Sequence, residues 1–216
     1  MRQLTLYCIG AALLALCPAA PATTFTYNTE PFAGTNVLNT PGRQLVGGED
    51  FLSFFVASDV FSIDAVAFGV AGPVRFVDST AANLPTGGVN VVVLQDFDND
   101  ANPLTPFGAG NAADLIASRI TEHGAGLFVY FNQALNLPRL VFSTDLSSSN
   151  SDLKVLARML NLTGQEGRNA IPTFTAANFA ITETTSAAPE PSGFLMMTGA
   201  GLIGACYILR RVRGPA

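Results

Sequence analysis

The fold of this chain is decided by residues 89–95, which read VNVVVLQ. The four residues from Val91 to Leu94 are all apolar, so an extended segment here would be covered on both of its faces. Such a segment is typical of the interior of a sheet rather than its edge. The sequence therefore predicts a central strand over Val89–Gln95.

Short apolar runs on either side of this segment predict further strands. Fifteen of the 17 aromatic residues between positions 23 and 188 are Phe, Trp is absent, and most of the rings lie in runs bounded by Gly, Pro, Asn or Ser. The alternation of side chains with period 2 is clearest from Phe61 to Phe68. The other predicted extended segments are Phe25–Glu30, Phe51–Ala57, Val60–Val70, Val74–Ser79, Leu127–Asn132, Leu140–Thr144 and Thr173–Ile181.

One helix is predicted directly after the central strand. Asn111 can cap it, with Asp114 at the third position. Leu115, Ile116 and Ile120 form an apolar stripe at helical spacing, and His123-Gly124 supplies the end signal.

A second helix is predicted between Ser149 and Gly164. Asp152 follows Ser149 by three residues, which is the spacing of a helix cap. Apolar residues then recur at helical intervals from Leu153 to Leu162.

These elements predict one domain of the α+β class, predominantly β-sheet, with two helices covering one face. The first helix separates Val89–Gln95 from Leu127–Asn132, which allows a crossover connection and a locally parallel pair of strands. The alternative is an antiparallel β-sandwich.

The first 22 residues have the properties of a signal peptide. Arg2 supplies a positive charge, and the apolar run from Leu4 to Cys17 is too short to span a bilayer comfortably. Ala20 and Ala22 form the small-x-small pattern that signal peptidase requires. We expect cleavage after Ala22, which makes Thr23 the first residue of the exported protein.

The last 28 residues combine three features in a fixed order. Pro189-Glu190-Pro191 comes first, residues 193–209 are largely apolar, and the basic residues Arg210, Arg211 and Arg213 follow. Seventeen helical residues reach about 25 Å, which is enough to cross a slightly thinned hydrocarbon core. Arginines favour the cytoplasmic side, so the chain between the two apolar segments is predicted to be exported.

This C-terminal pattern resembles the PEP-CTERM protein-sorting signal. The resemblance rests on residues 189–216 only, with Val212 interrupting the basic cluster and three residues extending beyond it. It implies recognition and cleavage near the Pro-Glu-Pro motif by an exosortase, an integral-membrane protease of Gram-negative bacteria. The protein would pass through the inner membrane and reach the cell surface or the extracellular polymer matrix.

The remaining sequence predicts an acidic, cysteine-free domain over residues 23–181 and a short linker over 182–188. Positions 23–188 hold 15 acidic and seven basic residues, a net charge of −8, which excludes a nucleic-acid partner. The three cysteines, Cys8, Cys17 and Cys206, all lie in the terminal segments. The domain therefore depends on its apolar core for stability, without disulfides.

Alternating carboxylates at Asp96, Asp98 and Asp100 form one candidate metal site. Oxygen ligands in a turn suit Ca²⁺, and the spacing matches the opening of a calcium-binding loop. Ala101 occupies the place of the usual glycine, however, and Phe107 the place of the final glutamate. The competing interpretation is a solvated acidic turn whose side chains bond its own backbone. No other cofactor is predicted.

His123, the only histidine, is the other residue with catalytic potential. Its position before Gly124 favours a helix-capping role. A serine nucleophile from Ser147–Ser151 would complete a triad, but there is no Gly-x-Ser-x-Gly motif, and that stretch resembles a loop and helix cap. The sequence thus favours a protein that is not an enzyme.

Three functional hypotheses follow. The first is a structural or binding protein of the envelope, exported, processed by signal peptidase and an exosortase, and associated with exopolysaccharide. The second is a secreted hydrolase with the same sorting signal. The third is a calcium-assisted adhesion module.

Overall fold

A computed structural model describes residues 21–40, 42–102 and 104–183. Within these ranges the chain forms ten strands and three α-helices. The strands are β1 (Thr24–Tyr27), β2 (Leu45–Val46), β3 (Asp50–Leu52), β4 (Val60–Asp64), β5 (Phe76–Ser79), β6 (Val91–Leu94), β7 (Gly126–Asn132), β8 (Leu137–Ser143), β9 (Leu153–Met159) and β10 (Phe179–Thr182). The helices are α1 (Ala65–Phe68), α2 (Ala109–Ala117) and α3 (Gly164–Ala170).

The larger sheet is mixed and has the strand order β5-β6-β7-β8-β9, with β2 and β3 following each other along the outer edge of β9. Strands β5, β6 and β7 are parallel, β8 is antiparallel to both of its neighbours, and β2 and β3 run parallel to β9. All four residues of β6 are fully buried. The predictions of a covered central strand and of a parallel partner after a helical crossover are both confirmed.

The smaller sheet has the order β1-β4-β10, and both outer strands run parallel to β4. Side chains of this sheet, such as Phe61 and Phe179, share one core cluster with Val91 and Leu127 of the larger sheet. Two sheets therefore enclose a common core. The antiparallel sandwich is nevertheless wrong, because the smaller sheet is wholly parallel and the larger sheet is mixed.

Helix α2 covers the opposite face of the larger sheet. Alternate residues along the strands, including Val92, Leu94 and Phe128, pack there against Ala112 and Ile116 of the helix. This helix was predicted with different bounds: it begins at Ala109 and ends at Ala117 rather than at His123. The side chain of Asn111 accepts a hydrogen bond from the Gly108 amide at 3.0 Å, so it lies inside the first turn.

The predicted helix between Ser149 and Gly164 is wrong, because its central part is strand β9. Leu153 and Val155 contribute to the core under α2, whereas Leu156, Ala157 and Met159 contribute to the core between the sheets. The register against β8 shifts between Leu140 and Val141, which marks a β-bulge. Because this strand is buried on both faces and contains one extra residue, the spacing of its apolar residues is similar to that of an amphipathic helix.

Helix α3 begins where the predicted second helix should have ended. Ala170 at its last position packs against the core between the two sheets, on the side away from α2. The expectation that both helices cover one face is therefore wrong. The coarser prediction, an α+β fold that is mostly sheet, is confirmed.

Several predicted strands are shorter than expected, and Val60–Val70 shows why. The Asp64 carboxylate accepts a hydrogen bond from the Ala67 amide at 2.7 Å, so it caps α1 and ends β4. Gly69 closes that helix with a left-handed backbone (φ 63°). Likewise, Phe51–Ala57 is extended only up to Leu52, and Thr173–Ile181 only from Phe179 onward.

Candidate functional site

The hairpin of β7 and β8 brings the only histidine next to an acidic residue and a serine. Gly126 pairs with Ser143 at the open end of this hairpin. The two segments that continue from these strands stay paired beyond this point, since the Leu146 amide donates to the Gly124 carbonyl at 2.9 Å. His123 therefore lies beside the segment that contains Asp145 and Ser147.

These three side chains form a closed set of hydrogen bonds, which we call the His123 cluster. Nδ1 of His123 lies 2.8 Å from Oδ2 of Asp145 and 2.9 Å from Oγ of Ser147. The Ser147 hydroxyl donates to Oδ1 of Asp145 at 2.8 Å. That hydroxyl has one proton, so Nδ1 must carry the proton that it shares with Asp145 and Ser147.

The His123 cluster has the residues of a catalytic triad without its geometry. In a triad the carboxylate and the serine bond opposite ring nitrogens, so that the free nitrogen accepts the serine proton. Here both partners contact Nδ1, which is already protonated. The imidazole therefore has no lone pair directed at Ser147, and the cluster joins two loops instead of activating a nucleophile.

Asp145 is the centre of this cluster. Burial alone would raise the pKa of its carboxyl, but hydrogen bonds from His123, from the amide and hydroxyl of Ser147 and from the Gly124 amide outweigh that effect and lower the pKa. At neutral pH the carboxylate thus accepts hydrogen bonds from His123 and Gly124 in one loop and from Ser147 in the other.

The His123 side chain is 85% exposed and lies beyond the end of α2, so its predicted helix-capping role is wrong.

Ser147 should not react with serine-directed reagents. We expect a fluorophosphonate probe to label the purified chain no more than its Ser147→Ala variant, because the Ser147 hydroxyl donates to the Asp145 carboxylate, a weak base with a lowered pKa, and not to the imidazole. The measurement is the mass of the intact protein after incubation with the probe. Stoichiometric labelling that disappears in the Ser147→Ala variant would instead support the hydrolase hypothesis.

The acidic loop after β6 uses its carboxylates on its own backbone. Oδ2 of Asp96 accepts from the Ala81 amide at 2.5 Å, which ties the loop to a neighbouring turn. Oδ1 of Asp98 accepts from the Asp100 amide at 3.1 Å, and Oδ1 of Asp100 accepts from the Asn102 amide at 2.9 Å. This backbone bond is the main reason why the pKa of Asp100 is lowered. The pattern is typical of a solvated acidic turn.

The three carboxylates of this loop are not arranged as a metal-binding group. In residues 21–40, 42–102 and 104–183, no group of three or more Asp, Glu, His or Cys side chains is arranged to hold a metal ion. The calcium site at Asp96, Asp98 and Asp100 stays a prediction.

A second candidate site is a cleft of about 340 Å³ between β1, β9 and the segment that joins β2 to β3. Its lining includes Thr26, Tyr27, Glu30, Asp50 and Lys154. Burial, followed by the nearby charge of Asp50, raises the pKa of Tyr27, so its phenol stays protonated. The threonine hydroxyls, the carboxylates and the ammonium group that line this cleft can form hydrogen bonds with a hydroxyl-rich ligand.

The sequence contains no signal for this cleft, because its residues come from four segments that are distant along the chain. None of them stands in a motif. By contrast, the proximity of His123 to Asp145 follows from the register of one hairpin, and both of its strands were predicted.

The predicted sorting residues lie outside the described part of the chain. The residues outside the described part are Pro189, Glu190, Pro191, Arg210, Arg211 and Arg213 of the sorting motif and Ala20 of the signal-peptidase site. Ala22 is described and exposed. The apolar segment 193–209 also lies outside the described residues. Across residues 21–183, apart from the gaps at 41 and 103, no helix combines the length and the apolar character that a membrane crossing requires.

Comparison with known proteins gives no match. No protein-family model fits this chain, and neither a curated protein nor a solved structure is similar to it.

Proposed function

We propose that this chain is an exported cell-surface or extracellular-matrix protein, without enzymatic activity, that is processed at both ends. Signal peptidase removes residues 1–22. An exosortase-type membrane protease then acts on the tail, which holds the protein transiently in the inner membrane through segment 193–209. The processed protein functions as a structural or binding component associated with exopolysaccharide.

The observation that carries this proposal is the order of features in the tail. Pro189-Glu190-Pro191, a 17-residue apolar segment and three arginines follow one another within 28 residues. All described strands lie before this tail, since β1 begins at Thr24 and β10 ends at Thr182. Removal of either terminal segment therefore leaves every described strand in place.

The chemistry of the described residues supports a role in binding or structure. The His123 cluster lacks the geometry of a serine hydrolase. The cleft at Tyr27 offers hydrogen-bonding groups that suit sugar hydroxyls. The net charge of −8 over residues 23–188 keeps the exported protein soluble.

Deletion of residues 210–213 tests the proposal. We expect export to continue, because the signal peptide is intact, and the unprocessed tail to accumulate, because the basic cluster that orients and marks it is gone. The measurement is a pulse–chase immunoblot of cell and surface fractions in the native host.

The matched control replaces Arg210, Arg211 and Arg213 with lysine, which keeps the positive charge. We expect the lysine variant to retain membrane orientation, so any loss of processing in it would reflect recognition of the guanidinium groups. Normal release of the deletion variant would contradict the role of the basic cluster in sorting.

A further inference from the structure

Asp59 is a fully buried carboxylate at the start of β4. Its residue exposure is 0%, and its two oxygens accept three hydrogen bonds. Oδ1 accepts from the Thr23 amide at 2.9 Å and from the Ser58 hydroxyl at 3.1 Å, and Oδ2 accepts from the Phe55 amide at 2.9 Å. All three donors are neutral groups.

A buried carboxylate of this kind usually has a cationic partner, because desolvation of an unpaired charge is costly. Among the described residues, the ion pairs involve Arg43, Arg139, Arg158 and His123, and none of them includes Asp59. The fold of the uncleaved chain thus gives Asp59 hydrogen bonds without a compensating positive charge from an ion pair.

Thr23 is held against Asp59 from two sides. Its carbonyl oxygen accepts from the Val60 amide at 2.9 Å, directly beside the bond from its own amide to Asp59. The next residue, Thr24, begins β1 and pairs with Val60 in the parallel register. Pro21 and Ala22 before it are exposed, so no buried contact depends on them.

We propose that Asp59 is the docking site for the processed N-terminus of this protein. The inference rests on the proposed cleavage after Ala22. Hydrolysis by one water molecule breaks the bond between the Ala22 carbonyl carbon and the Thr23 nitrogen. It leaves a carboxylate on Ala22 and an amine on Thr23, which takes up a proton near neutral pH. The Thr23 nitrogen, 2.9 Å from Oδ1 of Asp59, then becomes the missing cation.

Docking links maturation to the stability of the smaller sheet. The new ion pair joins Thr23, which directly precedes β1, to Asp59, which directly precedes β4. Strand β4 is the central strand of the smaller sheet. The Asp59 carboxylate already accepts a hydrogen bond from the Thr23 amide, and the ammonium adds an attraction between opposite charges to that bond. The exported protein is therefore more stable once its leader has been removed.

Two forms of the chain test this inference. One begins at Thr23 and the other at Ala22, both continue to Ala216, and both are studied in the same detergent. The two forms differ by one exposed residue, Ala22, which moves the ammonium away from the Thr23 nitrogen. We expect the Thr23 form to unfold at a temperature about 3–10 °C higher than the Ala22 form.

The Asp59→Asn variant should erase this difference between the two forms, because it removes the negative charge. A second measurement covers the case in which that variant does not fold. The α-amine of the Thr23 form should react with an acylating reagent at pH 7 about tenfold more slowly than that of the Ala22 form, because pairing keeps it protonated. Equal unfolding temperatures together with equal acylation rates would overturn the proposal.

N-terminal sequencing of the protein from its native host separates the two claims. If the first residue is Thr23 but the forms behave alike, docking is wrong and the cleavage site is right. If the first residue is not Thr23, the cleavage site is wrong, and docking at Asp59 is overturned as a step of maturation.

Discussion

Replacing Phe54 with alanine should lower the free energy of unfolding by about 4 kcal/mol. Its ring is fully buried and lies between two others, with centroids 4.2 Å from Phe61 and 5.6 Å from Phe174, both nearly parallel to it. The side chain of Asn161 fixes its backbone from both sides, accepting from the Phe54 amide at 2.8 Å and donating to its carbonyl at 3.0 Å. The cavity left by alanine therefore has little freedom to collapse.

Phe55 provides the matched control for this substitution. Its side chain is the next one along the chain, yet the residue is 49% exposed. Phe55→Ala should cost less than about 1 kcal/mol, because little packing is lost. The measurement is chemical denaturation followed by circular dichroism, since the chain has no Trp. Equal losses in the two variants would mean that the stacked rings are not the centre of the core.

Replacing Glu49 with glutamine should lower the free energy of unfolding by about 3 kcal/mol. The Glu49 side chain is only 7% exposed, and one of its oxygens, Oε1, bonds two arginines. Nη2 of Arg139 donates to it at 2.8 Å and Nε of Arg158 at 2.5 Å. Loss of the negative charge leaves two guanidinium groups close together without their carboxylate partner. One of them is largely buried, since the Arg139 side chain is 11% exposed.

The pH dependence of stability should show the same interaction. Burial alone would raise the pKa of Glu49, but hydrogen bonds from its own backbone amide and from Arg158, with the charges of both arginines, lower it. A lowered pKa means that the stabilisation is present above the unfolded value of about 4.3 and is lost as the pH falls through the folded value.

The control for Glu49 is Glu166, which is exposed and takes part in none of the ion pairs of the described residues. Glu166→Gln should change the free energy of unfolding by less than about 0.5 kcal/mol. In the Glu49→Gln variant the acid-side decline in stability should be shallower than in the unmodified chain. An unchanged decline would show that Glu49 does not hold the arginines through its charge.

The sequence was sufficient to predict the centre of the larger sheet. Val91 to Leu94 are apolar without interruption, and only an interior strand covers both faces of such a run. The helical pattern after it predicted the crossover and the parallel pairing of β6 with β7. Both predictions depend on local patterns of a few residues.

Strand β9 could not be predicted from its sequence because its signals were misleading. Leu153, Leu156 and Met159 recur every third residue, and the segment contains good helix-forming residues. Its position between β8 and the edge strands β2 and β3 comes from pairing with distant segments. Tertiary contacts decided this element against its intrinsic propensity.

The candidate sites also differ in whether local sequence patterns or contacts between distant segments determine them. Extending the register of β7 and β8 outward from their turn places position 124 beside position 145, so the His123 cluster was within reach of sequence reasoning. The pairing of the Thr23 amide with Asp59 joins segments 36 residues apart and has no local signal. Only the parallel register of β1 and β4 brings these two residues together.

The central claim, that this chain is exported and processed at both ends, is tested most directly by mass spectrometry of the protein purified from its native host. We predict a chain that starts at Thr23 and ends near Pro189-Glu190-Pro191, without segment 193–209. A protein that retains residues 1–22 and the full tail would contradict the claim.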